Sequence, residues 1–276
     1  MNDKDLKSLQ TIELKILSVF DDFCKKNDIP YSLHAGTALG AIRHHGFIPW
    51  DDDVDTIMSR ENLNKFISAW KADPIPGYYL ETCLDDRYCG TCHVKLRKED
   101  TILLSEGEDE HRGHHGIWID IFPIDKVQKG TNVWNAYLRG ILLVLSTRAN
   151  VSLSTDTLKK RLSRNILRII PYPLRKRIIR YSWKWFSDNA KKITDDYLWM
   201  SSSTIPTLFS FRLPQDMVDE CVYVVFENKE FPIFKRYQEF LSIQFGDYMK
   251  LPPVSQRTCT HNPVKFIPSM THSDNE

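Results

Sequence analysis

Residues 48–55 place four aspartates inside an apolar stretch, Ile-Pro-Trp-Asp-Asp-Asp-Val-Asp, and no other feature limits the possible folds of this chain as strongly. If this segment is extended, Asp51, Asp53 and Asp55 project from one face and Asp52 from the other. Same-face neighbours on a strand lie roughly 7 Å apart, so three carboxylates on one buried face are costly unless a cation neutralises them. The alternative is an exposed acidic turn, but the flanking residues are apolar and favour a buried site.

A carboxylate-only site indicates the kind of cation and the kind of chemistry. Oxygen ligands favour a hard ion such as Mg²⁺ or Mn²⁺, which keeps several waters and is bound through one or two carboxylates plus the phosphates of a substrate. Asp120 is a further candidate, because it lies in an apolar run at 117–122 and a lone buried carboxylate needs a partner. A hydrogen bond from a turn is the other way to satisfy Asp120. We expect Asp125, which follows Pro123, to be a loop or cap residue.

The residues before the aspartates predict a phosphate site. A short alternating strand at 31–35 is followed by Gly36 and Thr37, which open a helix. Gly36 lets the backbone approach an anion, the first helical turn has unpaired N–H donors, and Thr37 adds a hydroxyl. Arg43, near the end of this helix, could reach the same anion. An ordinary strand-to-helix turn is the alternative.

The whole run from His34 to Asp55, H-A-G-T-A-L-G-A-I-R-H-H-G-F-I-P-W-D-D-D-V-D, closely resembles the signature of the LicD family of phosphotransferases. These are bacterial phosphocholine transferases, distantly related to fukutin-type proteins. Two later blocks, I-D-I-F-P-I-D at 119–125 and residues 245–257, resemble other parts of the family, so the resemblance spans roughly residues 8 to 262.

The resemblance implies an α+β fold: a nucleotidyltransferase-like mixed β-sheet core flanked by helices, with a largely helical insertion. The implied reaction transfers a phospho-alcohol group, phosphocholine from CDP-choline, to a sugar hydroxyl of a cell-surface glycan (lipopolysaccharide, teichoic acid or capsule) and releases CMP. Two alternatives stay open. One is a nucleotidyltransferase that moves NMP to an alcohol or amine and releases pyrophosphate, and the other is a non-catalytic glycan-binding relative.

The resemblance also implies roles for individual residues. Asp53 and Asp55 would bind the metal that bridges a diphosphate, Asp51 and Asp120 would be further ligands, and Asp120 would be the catalytic base. The expected substrate-binding residues are Gly36, Thr37, Arg43, Trp50, Lys95, Arg257 and His261. Choline's quaternary ammonium prefers aromatic walls, for which Trp50, Tyr88 and Trp118 are candidates.

The chain is large enough for one sizeable core, and its pattern divides it into segments. With 276 residues, 42% hydrophobic and 26% charged, we expect an ordinary folded protein. We expect a catalytic core at 1–130, a basic helical region at 131–200, a strand and helix segment completing the core at 201–268, and a tail at 269–276. Helical spacing of apolar residues at 6–23 predicts an amphipathic N-terminal helix that serves as scaffold.

The segment 157–187 is basic and amphipathic. It has ten Lys and Arg and no acid, so the rest of the chain carries a net charge of −9. Each cation near an anionic leaflet contributes about 1 kcal/mol, so we expect peripheral membrane contact here. A helical hairpin packed on the core and a basic groove for an anionic glycan are alternatives; nucleic acid is not expected, because no nucleic-acid-binding motif accompanies the charge.

The polar N-terminus and the absence of a long apolar run predict a cytoplasmic protein, with a peripheral place on the inner face of the plasma membrane.

Six cysteines raise the question of a zinc site. Cys83, Cys89 and Cys92, with histidines at 93, 111, 114 and 115, could supply four ligands. Their spacing matches no repeat of tight C-x-x-C pairs, and a reduced cysteine is readily buried as a small apolar residue. We therefore expect these cysteines to be reduced core residues.

Overall fold

A computed structural model describes residues 1–105, 108–149, 165–192, 196–203, 211–259 and 263–269. The α-helices are α1 (Asp3–Lys26), α2 (Ala35–His44), α3 (Arg60–Ala72), α4 (Thr131–Arg148), α5 (Tyr172–Ala190) and α6 (Tyr237–Phe245). The strands are β1 (Ser32–Leu33), β2 (Asp55–Ser59), β3 (Tyr78–Glu81), β4 (Val94–Lys98), β5 (Ile102–Ser105), β6 (Trp118–Gln128), β7 (Tyr197–Met200), β8 (Arg212–Leu213), β9 (Cys221–Phe226), β10 (Lys229–Phe234) and β11 (Pro263–Ile267). Short 3₁₀ helices cover Gln215–Met217 and Val254–Gln256.

The central sheet of the described residues is mixed and has the strand order β1-β2-β6-β4-β3. Strands β2 and β6 are parallel and the other neighbours are antiparallel. The far half of β6 pairs with β7, which in turn pairs with β8. Two antiparallel pairs, β9 with β10 and β5 with β11, lie outside this sheet. The predicted α+β fold with a mixed sheet flanked by helices is confirmed.

Strand β6 is longer than the sequence indicated, because Pro123 does not end it. On one side β6 pairs with β4 up to Ile121 and with β7 from Asp125 onward, so Pro123 falls between the two partners. Its missing N–H therefore leaves no ladder hydrogen bond unmade on that side. The expectation that Asp125 is a loop or cap residue is wrong, since Asp125 lies within β6.

Asp125 is fully buried and pairs with Arg60 at the start of α3. Arg60 Nε lies 2.7 Å from Asp125 Oδ1, and Arg60 Nη2 donates to Asp125 Oδ2 at 3.1 Å and to Ser202 Oγ at 2.8 Å. The guanidinium also lies 4.2 Å from the ring centroid of Trp183 on α5. This buried pair ties β6 to α3, to α5 and to the segment after β7.

The predicted N-terminal helix is confirmed as α1. The Asn2 side chain caps it by accepting from the Asp5 N–H at 2.8 Å, and its apolar stripe is buried against the sheet. Helix α3 begins after Ser59, whose hydroxyl caps it by accepting from the Asn62 N–H. Within the described ranges, no helix has the length and apolar character required to cross a bilayer.

The C-terminal hairpin β9–β10 holds the loop that leads into the acidic segment. The Glu227 N–H, at the hairpin turn, donates to the His45 carbonyl at 2.8 Å, and the Glu227 carboxylate accepts from the Phe47 N–H at 3.0 Å. Where the sequence predicts a strand and helix segment at 201–268, the structure has this hairpin followed by α6, which is capped by Gly246 with φ +65°. Residues far apart in the chain thus position residues 48–55.

Candidate functional site

The carboxylates of Asp51, Asp52 and Asp53 form one cluster. Ligand oxygens of the three lie within 4.8 Å of one another, and Asp52 is buried. The expectation that Asp52 projects to the opposite face is wrong, because β2 begins only at Asp55 and the segment before it does not alternate as a strand does. The oxygen-only donor set and this spacing fit a hard divalent cation such as Mg²⁺.

The start of α2 is built around the Asp51 carboxylate. A Cβ on Gly36 would lie 2.6 Å from Asp51 Oδ2, so a larger residue would displace this carboxylate from beside the first turn. The unpaired N–H groups and the dipole of the helix start favour an anion there. The structure therefore places Asp51 itself where the sequence suggested a substrate phosphate. On the other side, Gln10 Nε2 on α1 donates to the Asp51 carbonyl at 2.9 Å.

Strand register brings Asp55 and Asp120 together. They are Cα partners on the parallel strands β2 and β6, where neighbouring strands lie about 4.8 Å apart. The Asp120 N–H donates to the Val54 carbonyl at 2.8 Å, and the Thr37 hydroxyl accepts from the Asp55 N–H at 2.8 Å. The predicted proximity of these two aspartates, on which a shared site depends, is present.

The same register continues across the sheet as a row of charged residues. Asp120 pairs in register with Lys95 on β4, and Lys95 pairs with Glu81 on β3. Since residues in register point to the same face, Asp55, Asp120, Lys95 and Glu81 lie in one row across the same face of four neighbouring strands. The carboxylates of Asp55 on β2 and Asp120 on β6 are thus followed in this row by Lys95 on β4.

Asp120 is already held by two basic side chains. Lys95 Nζ lies 2.8 Å and His93 Nε2 lies 3.1 Å from Asp120 Oδ1, and the Trp118 indole donates to Oδ2 at 3.1 Å. Burial alone would raise the pKa of Asp120, but Lys95 and His93 outweigh burial and hold this pKa well below its usual range. A carboxylate with so low a pKa accepts a proton poorly at neutral pH, which weighs against Asp120 as the catalytic base. His93 was not among the predicted site residues.

The environment of Asp55 is different. Burial, followed by the charges of Asp53, Asp120 and Asp51, raises the pKa of Asp55 well above its usual range, while Lys95 acts in the opposite direction. Crowded acids in a dry site disfavour the charged form of one another. In these surroundings the ionised form of Asp55 needs a further positive charge.

Trp118 is not available as a wall for choline. Its ring is contacted by two cations, with Lys95 Nζ at 4.2 Å and the Arg97 guanidinium carbon at 4.8 Å from the ring centroids. Arg97 also forms a buried ion pair with Glu81, with Nε 2.5 Å from Oε2. Among the aromatic candidates, Trp50 is half-buried and Tyr88 is exposed.

Arg43 and Arg257 are close enough to interact electrostatically, and Arg257 lies beside Trp50. The Arg257 guanidinium carbon lies 5.4 Å from the Trp50 ring centroid, and Arg43 Nη1 donates to the Tyr248 carbonyl at 2.9 Å. Burial, followed by the charge of Arg257, lowers the pKa of Arg43. Arg257 lies beside Trp50, which directly precedes Asp51 in the chain, and guanidinium groups suit a polyanion such as a diphosphate. His261, also predicted to bind substrate, lies outside the described residues.

The three cysteines considered as zinc ligands are core residues, whereas Cys221 is exposed and Cys259 is half-buried. Cys83, Cys89 and Cys92 are free thiols and buried, Cys89 Sγ contacts the Thr91 carbonyl at 3.4 Å, and Cys92 Sγ lies 3.4 Å from Thr147 Oγ1. Over the described part of the chain, the Asp51–Asp52–Asp53 cluster is the one group of three or more Cys, His, Asp or Glu with ligand spacing. His114 instead stacks on Tyr79, with ring centroids 4.4 Å apart.

Glu13 is the acidic residue that sequence patterning did not assign to the site. It lies on α1, is 1% exposed, and interacts electrostatically with all three clustered aspartates and with Asp120. A signal was present in the sequence: Leu9 and Leu17, four residues before and after, place Glu13 on the apolar stripe of the helix. A charged residue on a buried stripe needs a reason to be there.

Comparison with known proteins shows which part of the chain matches a described family. A family model described as LicD/FKTN/FKRP, nucleotidyltransferase domain, matches residues 28–142, which include α2, the acidic cluster and β6. The chain is also 28% identical, over 95% of its length and 98% of the relative's, to the lipopolysaccharide cholinephosphotransferase LicD of Haemophilus influenzae. Residues 28–142 thus match the LicD/FKTN/FKRP nucleotidyltransferase family, and the full chain is similar to a LicD protein. Shorter matches of 68 residues, 22% of this chain, link it to uncharacterized proteins of Rickettsia typhi (37% identical, 22% of that protein) and Rickettsia prowazekii (35% identical, 26% of that protein).

Proposed function

We propose that this chain is a LicD-type phosphotransferase that moves phosphocholine from CDP-choline to a sugar hydroxyl of a cell-surface glycan and releases CMP. The Haemophilus influenzae relative, named for cholinephosphate transfer to lipopolysaccharide, supports the transferred group and the glycan acceptor. The single observation that carries the chemistry is the cluster of Asp51, Asp52 and Asp53 beside Asp55 and Asp120, in a domain of the nucleotidyltransferase type.

In this proposal Asp51, Asp52 and Asp53 hold a divalent cation, Mg²⁺ or Mn²⁺, with Asp55 and Asp120 close by. Such a cation would supply positive charge that neutralises the diphosphate of the donor. Asp52 joins the set predicted from the sequence because the structure groups its carboxylate with those of Asp51 and Asp53.

The remaining site residues position the donor. Arg43 and Arg257 bind the diphosphate, and the aromatic rings of Trp50 and Tyr88 contact the choline ammonium. Asp120 holds Lys95 and His93 in place, so that Lys95 sits next to the acids as a further cation toward the phosphates. Positioning and charge neutralisation supply most of the rate in phosphoryl transfer, because its loose transition state requires little covalent help.

A product assay tests the reaction class. The protein, Mg²⁺ and a glycan acceptor are incubated with a panel of CDP-alcohols or, in parallel, with nucleoside triphosphates, and CMP and pyrophosphate are both followed. We expect CMP with CDP-choline as the preferred donor. Pyrophosphate from a nucleoside triphosphate would instead support the alternative nucleotidyltransferase, and CMP with equal rates for every CDP-alcohol would remove the choline assignment.

The variant Asp53→Asn separates an enzyme from a glycan-binding relative. Because Asn keeps the shape and removes the charge, we expect CMP release to fall to background while glycan binding persists. A matched control is Asp73→Asn, an exposed carboxylate that pairs with Lys26 far from the site, and it should leave turnover unchanged. If the wild-type protein binds glycan as well as Asp53→Asn does and shows no turnover, the chain is a non-catalytic glycan-binding relative.

We also propose that the enzyme lies on an anionic membrane through the outer surface of α4 and α5. Four large residues are exposed on this surface: Trp134 (75%), Leu138 (55%), Leu174 (51%) and Tyr181 (59%). The Arg139 guanidinium carbon lies 4.2 Å from the Tyr181 ring centroid, which shows that the two helices share this surface. Exposed aromatic and aliphatic residues among cations are typical of interfacial helices.

Not every cation of the segment 157–187 can contact a membrane in this structure. Arg175 is buried, and its Nε donates to the Ile170 carbonyl at 3.1 Å, so it cannot face a bilayer. Part of the basic segment, residues 157–164, lies outside the described residues. Among those described, Arg177 and Arg180 are exposed and Lys176 is half-buried.

Co-flotation with vesicles containing anionic lipid tests the membrane proposal. The triple variant Lys176→Glu, Arg177→Glu and Arg180→Glu should abolish flotation. A control with the same change in charge, at the exposed Lys4, Lys15 and Lys229, should float as the wild type does. If the wild-type protein stays at the bottom of the gradient, or both triple variants behave alike, this surface has no membrane role.

A further inference from the structure

Glu13 is a buried carboxylate with no evident structural partner. Its side chain is 1% exposed on the face of α1 that packs on the sheet, and its Oε2 has no hydrogen-bond partner among the described residues. The neighbouring residues Leu9, Ile12, Ile16 and Leu17 on this face are buried and apolar. An unpaired buried carboxylate is costly, so selection for stability alone would favour an apolar residue here.

Glu13 lies within electrostatic range of the acidic cluster, on the face of α1 that Gln10 attaches to Asp51. Burial, followed by the charges of Asp53, Asp51, Asp52 and Asp120, raises its pKa well above the usual range, so all four aspartates act on it. One helical turn earlier, Gln10 donates to the Asp51 carbonyl at 2.9 Å, which fixes this face of α1 against the acidic segment. The two residues form one helical edge along the cluster, since they are three positions apart.

Glu13 is not a member of the close group formed by Asp51, Asp52 and Asp53. Its place is therefore beyond the direct ligands of a cation held by those three. Mg²⁺ keeps several of its waters when it binds to proteins, and every such water has O–H groups that need acceptors. A carboxylate that accepts from a metal-bound water also orients the coordination shell.

We propose that Glu13 is an outer-shell positioning residue that accepts hydrogen bonds from waters on the divalent cation held by Asp51, Asp52 and Asp53. The inference rests on the cation site of the proposed function. It assigns a binding role to α1, a helix that lies before the family's matched domain at residue 28. It also accounts for the unpartnered oxygen, which gains a donor when the hydrated cation binds.

The test uses metal binding and stability of the full chain, and not turnover alone. Metal-free wild type, Glu13→Gln, Asp53→Asn and Asp21→Asn are titrated with Mn²⁺, with the free ion followed by electron paramagnetic resonance, and thermal unfolding is recorded with and without Mn²⁺. Asp21 is the matched control, because it is a buried acid on α1 that pairs with Lys25 and accepts from the Tyr31 hydroxyl.

We expect Glu13→Gln to weaken Mn²⁺ binding about 10- to 100-fold, as is typical when an outer-shell partner of a metal site is changed. Without metal this variant should unfold at a higher temperature than the wild type, because a neutral isostere removes a buried acid from beside other acids. Asp21→Asn should lower the unfolding temperature and leave Mn²⁺ affinity unchanged.

Three results separate the possibilities. Glu13→Gln with wild-type Mn²⁺ affinity, while Asp53→Asn has lost binding, would overturn the role of Glu13 and leave the cation site standing. Glu13→Gln with a lower metal-free unfolding temperature and unchanged affinity would make Glu13 a structural residue only. Wild type that binds no Mn²⁺ would overturn the cation part of the proposed function itself.

Discussion

The variant Gly36→Ala tests whether the Asp51 carboxylate must lie against the start of α2. An added Cβ would lie 2.6 Å from Asp51 Oδ2, about 0.8 Å closer than the 3.4 Å at which ordinary contact begins. Gly36 does not have a positive φ, so alanine fits the backbone, and alanine favours a helix over glycine by about 1 kcal/mol. The substitution therefore displaces one carboxylate without unfolding the protein.

We expect the rate to respond much more than the stability. Misplacing a catalytic group by about 1 Å can cost on the order of 100-fold in rate, so kcat for CMP release should fall by about that factor. The unfolding temperature should change by no more than a few degrees, since about 1 kcal/mol shifts it by roughly 2–4 °C in a protein of comparable size. Steady-state kinetics and thermal unfolding measure the two quantities.

A double-mutant cycle identifies the cause. In an Asp51→Ala background the added Cβ meets no carboxylate, so Gly36→Ala should cost little further activity and the two effects should be strongly non-additive. If the two losses add, or if Gly36→Ala alone keeps kcat within threefold of the wild-type value, the close packing of Gly36 and Asp51 does not matter for the reaction.

Three further predictions follow from single contacts. Asp125→Ala leaves the buried Arg60 charge without its partner, so urea unfolding should show a loss of about 3–5 kcal/mol, and a loss below about 1 kcal/mol would contradict the structure. Burial lowers the pKa of His34 from 6.5 to about 3, so between these pH values the unfolded chain binds more protons than the folded protein does. Lowering the pH from 7 to 5 should therefore reduce the free energy of unfolding by about 2 kcal/mol through this group, and His34→Gln should remove that part of the pH dependence. Arg257→Ala should raise KM for the CDP-alcohol about tenfold or more, because a charge-assisted hydrogen bond contributes about 1.5–3 kcal/mol, and an unchanged KM would exclude Arg257 from donor binding.

The parts of the site that the sequence predicted depend on local patterns. Asp51, Asp53 and Asp55 were found because charged residues in an apolar stretch need neutralisation, and Asp120 because it lies in a buried strand. The α+β fold with its mixed sheet came from the resemblance to the LicD family, and the pairing of β2 with β6 then brings Asp55 and Asp120 together. These predictions required no knowledge of distant contacts.

The parts that were missed depend on contacts between distant residues. The pairing of Arg60 with Asp125 joins residues 65 positions apart, and the role of Pro123 is clear only when both β4 and β7 are seen beside β6. Asp52 joined the cluster because the chain before Asp55 does not follow strand alternation. The ion pair of Asp120 with Lys95 required the β4–β6 register, which no periodicity in the sequence reveals.

The most direct measurement of the central claim is the anomalous difference map of crystals grown with Mn²⁺ and CDP-choline. We predict a peak within coordination distance of the carboxylates of Asp51, Asp52 and Asp53, with the donor diphosphate between it and the guanidinium groups of Arg43 and Arg257. A diphosphate bound without a peak at these aspartates, or a peak elsewhere in the protein, would contradict the account.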